Sequence, residues 1–255
     1  PPRVAERLPK IAEAVEAAKA DPNLAVQNAA RIAGGFVMTA TLLAKQYDAV
    51  VANPPYMGNN TMNALLKAFA KAQHPAAKLD LYAMFIERGF AFARALGRNA
   101  MVTMQSWMFL ESYEALRESL WTGRTTECML HMGNGVMGIA FGTAATVWSR
   151  RSLATYRGRF VYVASEDLGD NNKPLRFPVP NNRTGVLSAP EFRELPGSPV
   201  VYWASESIRR LFKTSTALGR TIETREGLAT ADNALLIKFE TLRRRVVSFR
   251  ATPLV

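Results

Sequence analysis

The sequence predicts an α/β fold: the C-terminal half of a doubly wound, Rossmann-like sheet, with a helical N-terminal segment before it and a loop-rich α+β extension after it. Three observations lead there. Short β-branched runs alternate with helical stripes between residues 47 and 150, the pattern of a layered sheet flanked by helices. The run Tyr47-Asp48-Ala49-Val50-Val51-Ala52 stops abruptly at Asn53-Pro54-Pro55-Tyr56. And 255 residues with 48% hydrophobic and 21% charged content suit a folded chain that buries one large core or two modest ones. The expected division is a helical segment at 1–46, a partial catalytic-type sheet at 47–150 and a connector at 151–255.

Each element has its own warrant. Val4, Leu8, Ile11, Val15 and Ala18 recur at helical spacing, so residues 3–20 are expected to form a helix. A second helix is expected from Asp21 as N-cap and Pro22 at the first helical position, interrupted at Gly34-Gly35. That glycine pair is a weak phosphate-loop signal, because no strand precedes it and no third glycine follows at the right spacing. After the strand Tyr47–Asn53, Thr61–Gln73 is expected as a helix with Leu65, Leu66 and Phe69 inward. Leu79–Leu96 reads as a long helix with Leu81, Phe85, Gly89 and Phe92 on one side and Gly97 as C-cap. Asn99–Gln105 is the next strand, Ser112–Leu120 a helix, and Thr125–His131 and Phe141–Ser149 two strands. With no helix between them, these last two are expected as an antiparallel pair at the sheet edge. From Arg151 the chain turns rich in Asn, Pro, Gly and charge, which predicts loops and short strands between two bodies. Ser205–Thr214 is a short helix.

The chemistry concentrates at Asn53-Pro54-Pro55-Tyr56. Proline lacks the N–H a sheet ladder needs, so the strand ends there. The residue before proline is held extended, so Asn53 sits on a stiff loop at the carboxyl end of a strand, where open α/β sheets bind ligands. The Asn53 carboxamide oxygen and the Pro54 carbonyl can each accept a hydrogen bond from a planar NH2 group, and Tyr56 offers a flat face for an extruded base. The bland alternative is a strand followed by a Pro-Pro turn with a surface Asn.

The net charge is +11, unevenly spread. Residues 201–255 hold ten Lys/Arg against five Asp/Glu, residues 51–100 six against two, and residues 101–150 three against four. A basic excess beside the loop and at the end of the chain suits a polyanion partner, while solvated helix faces account for much of it. For the cluster Leu242–Val247, phosphate contact and solubility are equally good readings. The lone Cys128 excludes an internal disulfide, suits a reducing cytoplasm and reads as a buried, inert thiol. With His74 and His131 as the only histidines, no metal site is expected. The longest apolar stretch, about residues 33–44, is too short to span a bilayer, so no membrane partner is expected.

The stretch VANPPYMG, Val51 to Gly58, resembles the target-amino loop of N6-adenine DNA methyltransferases. LDLYAMFIERGFAFARALGRNAMVTMQSWMF, Leu79 to Phe109, is similar to the following segment of the large BREX phage-defence methyltransferases, the PglX family. LPGSPVVYWASESIRRLF (Leu195 to Phe212) and REGLATADN (Arg225 to Asn233) resemble that family's connector toward its target-recognition region. The resemblance covers about Tyr47 to Asn233 and loosens after Arg151.

It implies a class I methyltransferase sheet, S-adenosyl-L-methionine as cofactor and double-stranded DNA as substrate, with other defence-system proteins as partners. It makes Asn53, Pro54, Pro55 and Tyr56 catalytic, and Asn53, Asp80 and Tyr82 cofactor-binding. Ser106, Trp107, Arg225, Asp232 and Asn233 become DNA contacts. For Leu81 and Phe85, helix core is as good a reading; Asp80 can serve simply as a helix cap, and Trp107 as packing. The residues after Asn233, ALLIKFE, depart from the family's aromatic- and Arg-rich continuation, which puts contacts beyond it in doubt.

The family places a Gly-rich cofactor turn upstream of the loop, but the 52 residues before Asn53 read as helical. The chain is therefore expected to be part of a larger enzyme, and alone to bind the cofactor poorly and not to methylate. Two other classes stay open: an amino-methyltransferase acting on protein glutamine or RNA, and a non-catalytic DNA-binding or assembly subunit.

Overall fold

A computed structural model describes residues 2–216 except 177, 178, 180 and 182. Residues Pro1–Lys213 form one compact unit; Thr214–Val255 form a second, of which only 214–216 are described. Helices α1 (Pro2–Ala18) and α2 (Leu24–Ala44) pack on each other. The cap of α2 is Asn23, whose side chain accepts from Ala25 N–H, rather than Asp21, which bonds the Asn23 N–H instead. Gly34 and Gly35 do not interrupt α2: a helix already held by its neighbours' hydrogen bonds absorbs the local loss of preference.

Six strands form one mixed sheet in the order β1-β2-β4-β3-β5-β6. They are β1 (Tyr47–Ala52), β2 (Ala93–Met104), β3 (Thr125–Met132), β4 (Thr143–Ser149), β5 (Gly158–Val163) and β6 (Gly185–Leu187). β1 and β2 are parallel, as are β3 and β5; β4 runs antiparallel to both β2 and β3. Thus β1, β2, β3 and β5 all point their carboxyl ends at one edge of the sheet. β3 and β4 are the expected antiparallel pair, but they lie inside the sheet. β5 and β6 continue it, so the polar stretch after Arg151 is partly the same layer and not simply a linker between bodies.

The helices also turn differently from their Leu/Phe stripes. In α3 (Ala64–Gln73), Leu65 and Phe69 are 81% and 51% exposed, and the buried residue is Ala70. In α4 (Leu81–Phe92), the inward face is Tyr82, Ala83, Ile86, Gly89 and Phe90, while Phe85 is exposed. The reason is close approach: a Cβ on Gly89 would stand 2.4 Å from Asn99 Oδ1 of β2. A helix seated this tightly presents its small residues to the sheet. α4 then ends at Phe92 and the chain enters β2 directly, so Gly97 lies within the strand and caps nothing. Cys128 is exposed, contrary to the buried reading. Its thiol is nonetheless pushed up by partial burial and by neighbouring Glu127, which disfavours the thiolate a nucleophile needs.

The main core joins α4, the 3-10 turn Gln105–Met108, α5 (Glu114–Gly123) and the sheet, with Trp107, Trp121 and Trp148 buried at its centre. Arg117 of α5 is buried there, and among the described residues no carboxylate forms an ion pair with its guanidinium. It donates to the carbonyls of Gly197, Trp107 and Leu110 and so ties the connector to the turn after β2.

Candidate functional site

The segment after β1 is clamped against the entry to α4. Met57 O accepts from Leu81 N–H at 3.0 Å, and Asn59 N–H donates to Leu79 O at 2.8 Å. Asp80 joins the two halves: its Oδ1 accepts from Met57 N–H at 3.0 Å and from Tyr82 N–H at 3.2 Å. It is thus both the N-cap of α4 and a lock on the loop. Burial raises the Asp80 carboxyl above its ordinary value, against the pull of hydrogen bonds from Tyr82, Met57 and Leu81.

On this clamp, Asn53 and Pro55 are exposed, Pro54 is buried and Tyr56 is half-buried. The Tyr56 hydroxyl donates toward Asn53 Oδ1 at 3.3 Å and Val102 O at 3.4 Å. Both contacts are long and therefore weak, so Asn53 Oδ1 keeps acceptor capacity. Among the described residues no hydrogen bond takes up the Pro54 carbonyl. Two acceptors thus stand beside an aromatic ring at the carboxyl end of β1. Burial raises the Tyr56 phenol above its usual range and keeps it protonated.

The Tyr56 ring is fixed by two others. Tyr82 stands edge-on at 6.0 Å between centroids and Phe141 at 5.8 Å. Phe141 was missed as a site residue. It reads as the first residue of a strand, whereas β4 begins at Thr143 and Phe141 stands in front of it, beside the loop. An exposed aromatic just after a Gly-rich turn was the available signal.

The other expected site residues divide. Tyr82 is fully buried and bonds Ser106 Oγ at 2.8 Å, with its phenol raised far above the ordinary value, chiefly by desolvation. What it gives the site is the edge it turns to Tyr56 and its hold on Ser106. Ser106 is half-exposed at the end of β2, on the same sheet edge as Asn53. Trp107 is a correction: it is fully buried between Trp121 and Trp148, with Nε1 donating to Thr103 Oγ1, so it packs and presents nothing to DNA. Arg225, Asp232 and Asn233 lie outside the described residues. Among the described residues there is no cluster able to hold a metal ion, and no helix is long and apolar enough to cross a membrane.

The Eco57I restriction-modification methylase family model matches residues 6–136. The chain is 39% identical over 188 residues to the adenine-specific methyltransferase BrxX of Escherichia coli O9:H4 (strain HS), an overlap of 72% of this chain and 15% of that one. It is 34% identical over 206 residues to the adenine-specific methyltransferase PglX of Lacticaseibacillus casei (strain Zhang), covering 77% of this chain and 17% of that one. The chain therefore spans about a sixth of the length of these curated relatives. Among solved structures, the type I restriction-modification methyltransferase subunit from Streptococcus thermophilus aligns over 62% of this chain and 38% of its own, at 13% identity and a TM-score of 0.46.

Proposed function

The chain belongs to the Eco57I restriction-modification methylase family, and from that premise we propose that it forms the substrate-facing part of an enzyme that methylates N6 of adenine in double-stranded DNA. The observation that carries the reading is the pair of open acceptors, Asn53 Oδ1 and the Pro54 carbonyl, beside the Tyr56 ring. An exocyclic NH2 has two protons, and these two acceptors take both. With both protons engaged, the nitrogen lone pair is less delocalised into the ring and faces outward. Tyr56 stacks the base once it is out of the duplex, and Phe141 borders the same space. Catalysis by these residues is positioning and electrostatic preorganisation, with no covalent nucleophile.

S-adenosylmethionine, when bound, supplies the electrophilic methyl. The two acceptors, Asn53 Oδ1 and the Pro54 carbonyl, fit the amino-group side of that chemistry. The side chains that would grip the cofactor's ribose are a different matter. Asp80 is buried, with Oδ1 committed to two backbone N–H groups, and α1 and α2 provide no strand–glycine turn before β1. Other proteins of a phage-defence system are the partners this reading implies, and cytoplasm its compartment.

Asn53→Ala in the complete enzyme of which this chain is part should abolish methyl transfer from labelled cofactor to adenine-containing DNA while the circular dichroism spectrum and melting temperature stay put. Unchanged transfer sinks the assignment. Transfer to protein or RNA with none to DNA would replace the substrate.

A further inference from the structure

The carboxyl edge of the sheet holds a second concavity that the methylation reading does not use. It has a volume of about 500 Å3 and opens between the ends of β2, β3 and β5. Its walls are Gln105, Phe109, His131, Tyr162, Arg183 and Trp203. Four of the six are flat rings. His131 lies nearly parallel to Trp203, 6.3 Å between centroids at 25°, and Phe109 is 6.0 Å from each of them.

Arg183 is held across two of these rings, its guanidinium carbon 3.8 Å from the Tyr162 centroid and 4.5 Å from that of Trp203. Cation–π contact fixes the plane of the group without using its N–H donors. Among the described residues no carboxylate or carbonyl takes those donors up: the one hydrogen bond of Arg183 there is from its backbone N–H, to Asn181 Oδ1. A positioned guanidinium whose donors are not taken up by any described residue, beside an aromatic wall, is what a nucleotide needs, a base face on one side and a phosphate on the other.

Gln105 supplies the polar end. His131 is buried and its ring is held from both sides, Nδ1 at 2.9 Å from the Tyr202 hydroxyl and Nε2 at 2.7 Å from Gln105 Oε1. The carboxamide oxygen only accepts, so Nε2 carries the proton and Nδ1 accepts from Tyr202. Gln105 is thereby oriented with its NH2 left for another partner. Gly142 makes room for it: a Cβ there would stand 2.1 Å from Gln105 Oε1. Gln105 N–H also donates to Gly142 O at 3.0 Å, and Gly142 follows Phe141, which packs on Tyr56. The cavity's His131 and Tyr162 walls, on β3 and β5, are thus three and four strand spacings from β1, about 14–19 Å from Asn53 along the same edge, with Gln105 reaching in from the end of β2.

We propose that this cavity takes the base of a nucleotide within a few positions of the target adenine on the same DNA strand, set against the aromatic wall of Phe109 and Trp203, its edge read by Gln105 and its phosphate held by Arg183. The proposal rests on the reading that adenine in DNA is the substrate at Asn53. Glu166 on the rim repels a free di- or triphosphate, which favours a nucleotide within a strand, one charge per phosphate.

The test is DNA binding by the complete enzyme of which this chain is part, measured by fluorescence anisotropy on a methylatable duplex and on duplexes with one abasic position scanned along the target strand. Trp203→Ala is expected to weaken binding about tenfold on intact DNA. At one abasic position near the adenine the parent protein should lose the same factor and the variant nothing more, because the base that stacks is gone. Trp203→Phe, which keeps a ring, should restore most of the loss. Arg183→Ala, which removes a wall group and no core residue, should flatten the dependence of log K on log salt by about 0.9. Parent-like binding by both Trp203→Ala and Arg183→Ala, with methylation intact, overturns this proposal alone. Equal losses on every abasic duplex overturn it as well, since the effect would then not come from one base. A parent protein that neither binds nor methylates DNA overturns the substrate reading together with it.

Discussion

Replacing Asp80 by alanine should both destabilise the fold and disable the site. One carboxylate oxygen does two jobs: Oδ1 caps α4 at Tyr82 N–H and holds Met57 N–H of the loop. Loss of an N-cap costs about 1 kcal/mol. Loss of a hydrogen bond from a charged acceptor, leaving a backbone N–H in a partly buried clamp, costs about 2 kcal/mol more. Against this stands the desolvation of the carboxylate, which Asp80→Ala relieves; its mark is the raised carboxyl. The net expectation is about 2 kcal/mol by urea denaturation. Asp80→Asn keeps an acceptor at the same place and should lose less than 1 kcal/mol. The pH dependence has a definite sign. A group whose folded value is raised contributes stability that is full below its unfolded value and fades as pH rises through the folded one. The deficit of Asp80→Asn relative to the parent should therefore shrink from about pH 4 toward neutrality. Release of Met57 also frees the loop carrying Asn53 and Tyr56. A displacement of about 1 Å is enough for a loss on the order of 100-fold in methyl transfer. An Asp80→Ala protein within 0.5 kcal/mol of the parent, with full activity, would refute the clamp. A deficit in Asp80→Asn that grows with pH would refute the desolvation argument.

Three further outcomes follow from buried groups. Arg117→Met leaves the carbonyls of Gly197, Trp107 and Leu110 without their donor, and should cost about 3 kcal/mol, or about 10 °C in melting temperature by calorimetry; a fall under 2 °C would show that those carbonyls find water. Burial, and then the nearby Arg183, lower His131 from 6.5 to about 4, so the folded state resists its protonation. Stability is full above 6.5 and falls as pH drops toward 4, by up to about 3 kcal/mol, and His131→Gln should flatten that limb of the pH–stability curve. Gly89→Ala drives a methyl into Asn99 Oδ1 and should cost about 1–3 kcal/mol; a neutral result would mean α4 can lift from β2.

What could be read from the sequence was whatever is local. The strands at residues 47–52, 99–104 and 125–131 announce themselves by β-branched runs, and the loop by its prolines. The faces of the helices could not be read that way. A stripe of Leu and Phe is the ordinary mark of a buried face, yet in α4 the tight seat against β2 reserves that face for residues such as Ala83 and Gly89 and turns Phe85 outward, and in α3 the buried residue is Ala70 while Leu65 is exposed. Nor could the sheet's far side be foreseen. β5 and β6 are short and embedded in polar sequence, and the pairing of β5 with β3 and of β6 with β5 is a long-range event that no local period records. The Tyr202–His131–Gln105 chain joins residues 71 and 26 positions apart, so it has no motif at all.

The same division runs through the catalytic loop. The tetrapeptide supplies the two acceptors by itself, because two prolines after a strand fix the backbone wherever they occur. The pose of Tyr56 is not local. Its hydroxyl contacts are long, 3.3 and 3.4 Å, and too weak to hold a ring. Its orientation comes instead from the edges of Tyr82 on α4 and Phe141 before β4, and from the Asp80 clamp beneath. β4 is antiparallel, so it delivers Phe141 from its amino end to the edge where β1 and β2 end. A parallel strand in that place would bring its carboxyl end there instead. The antiparallel strand is thus part of the site's construction. It brings an aromatic against Tyr56, and through Gly142 it sets Gln105 at the mouth of the neighbouring cavity.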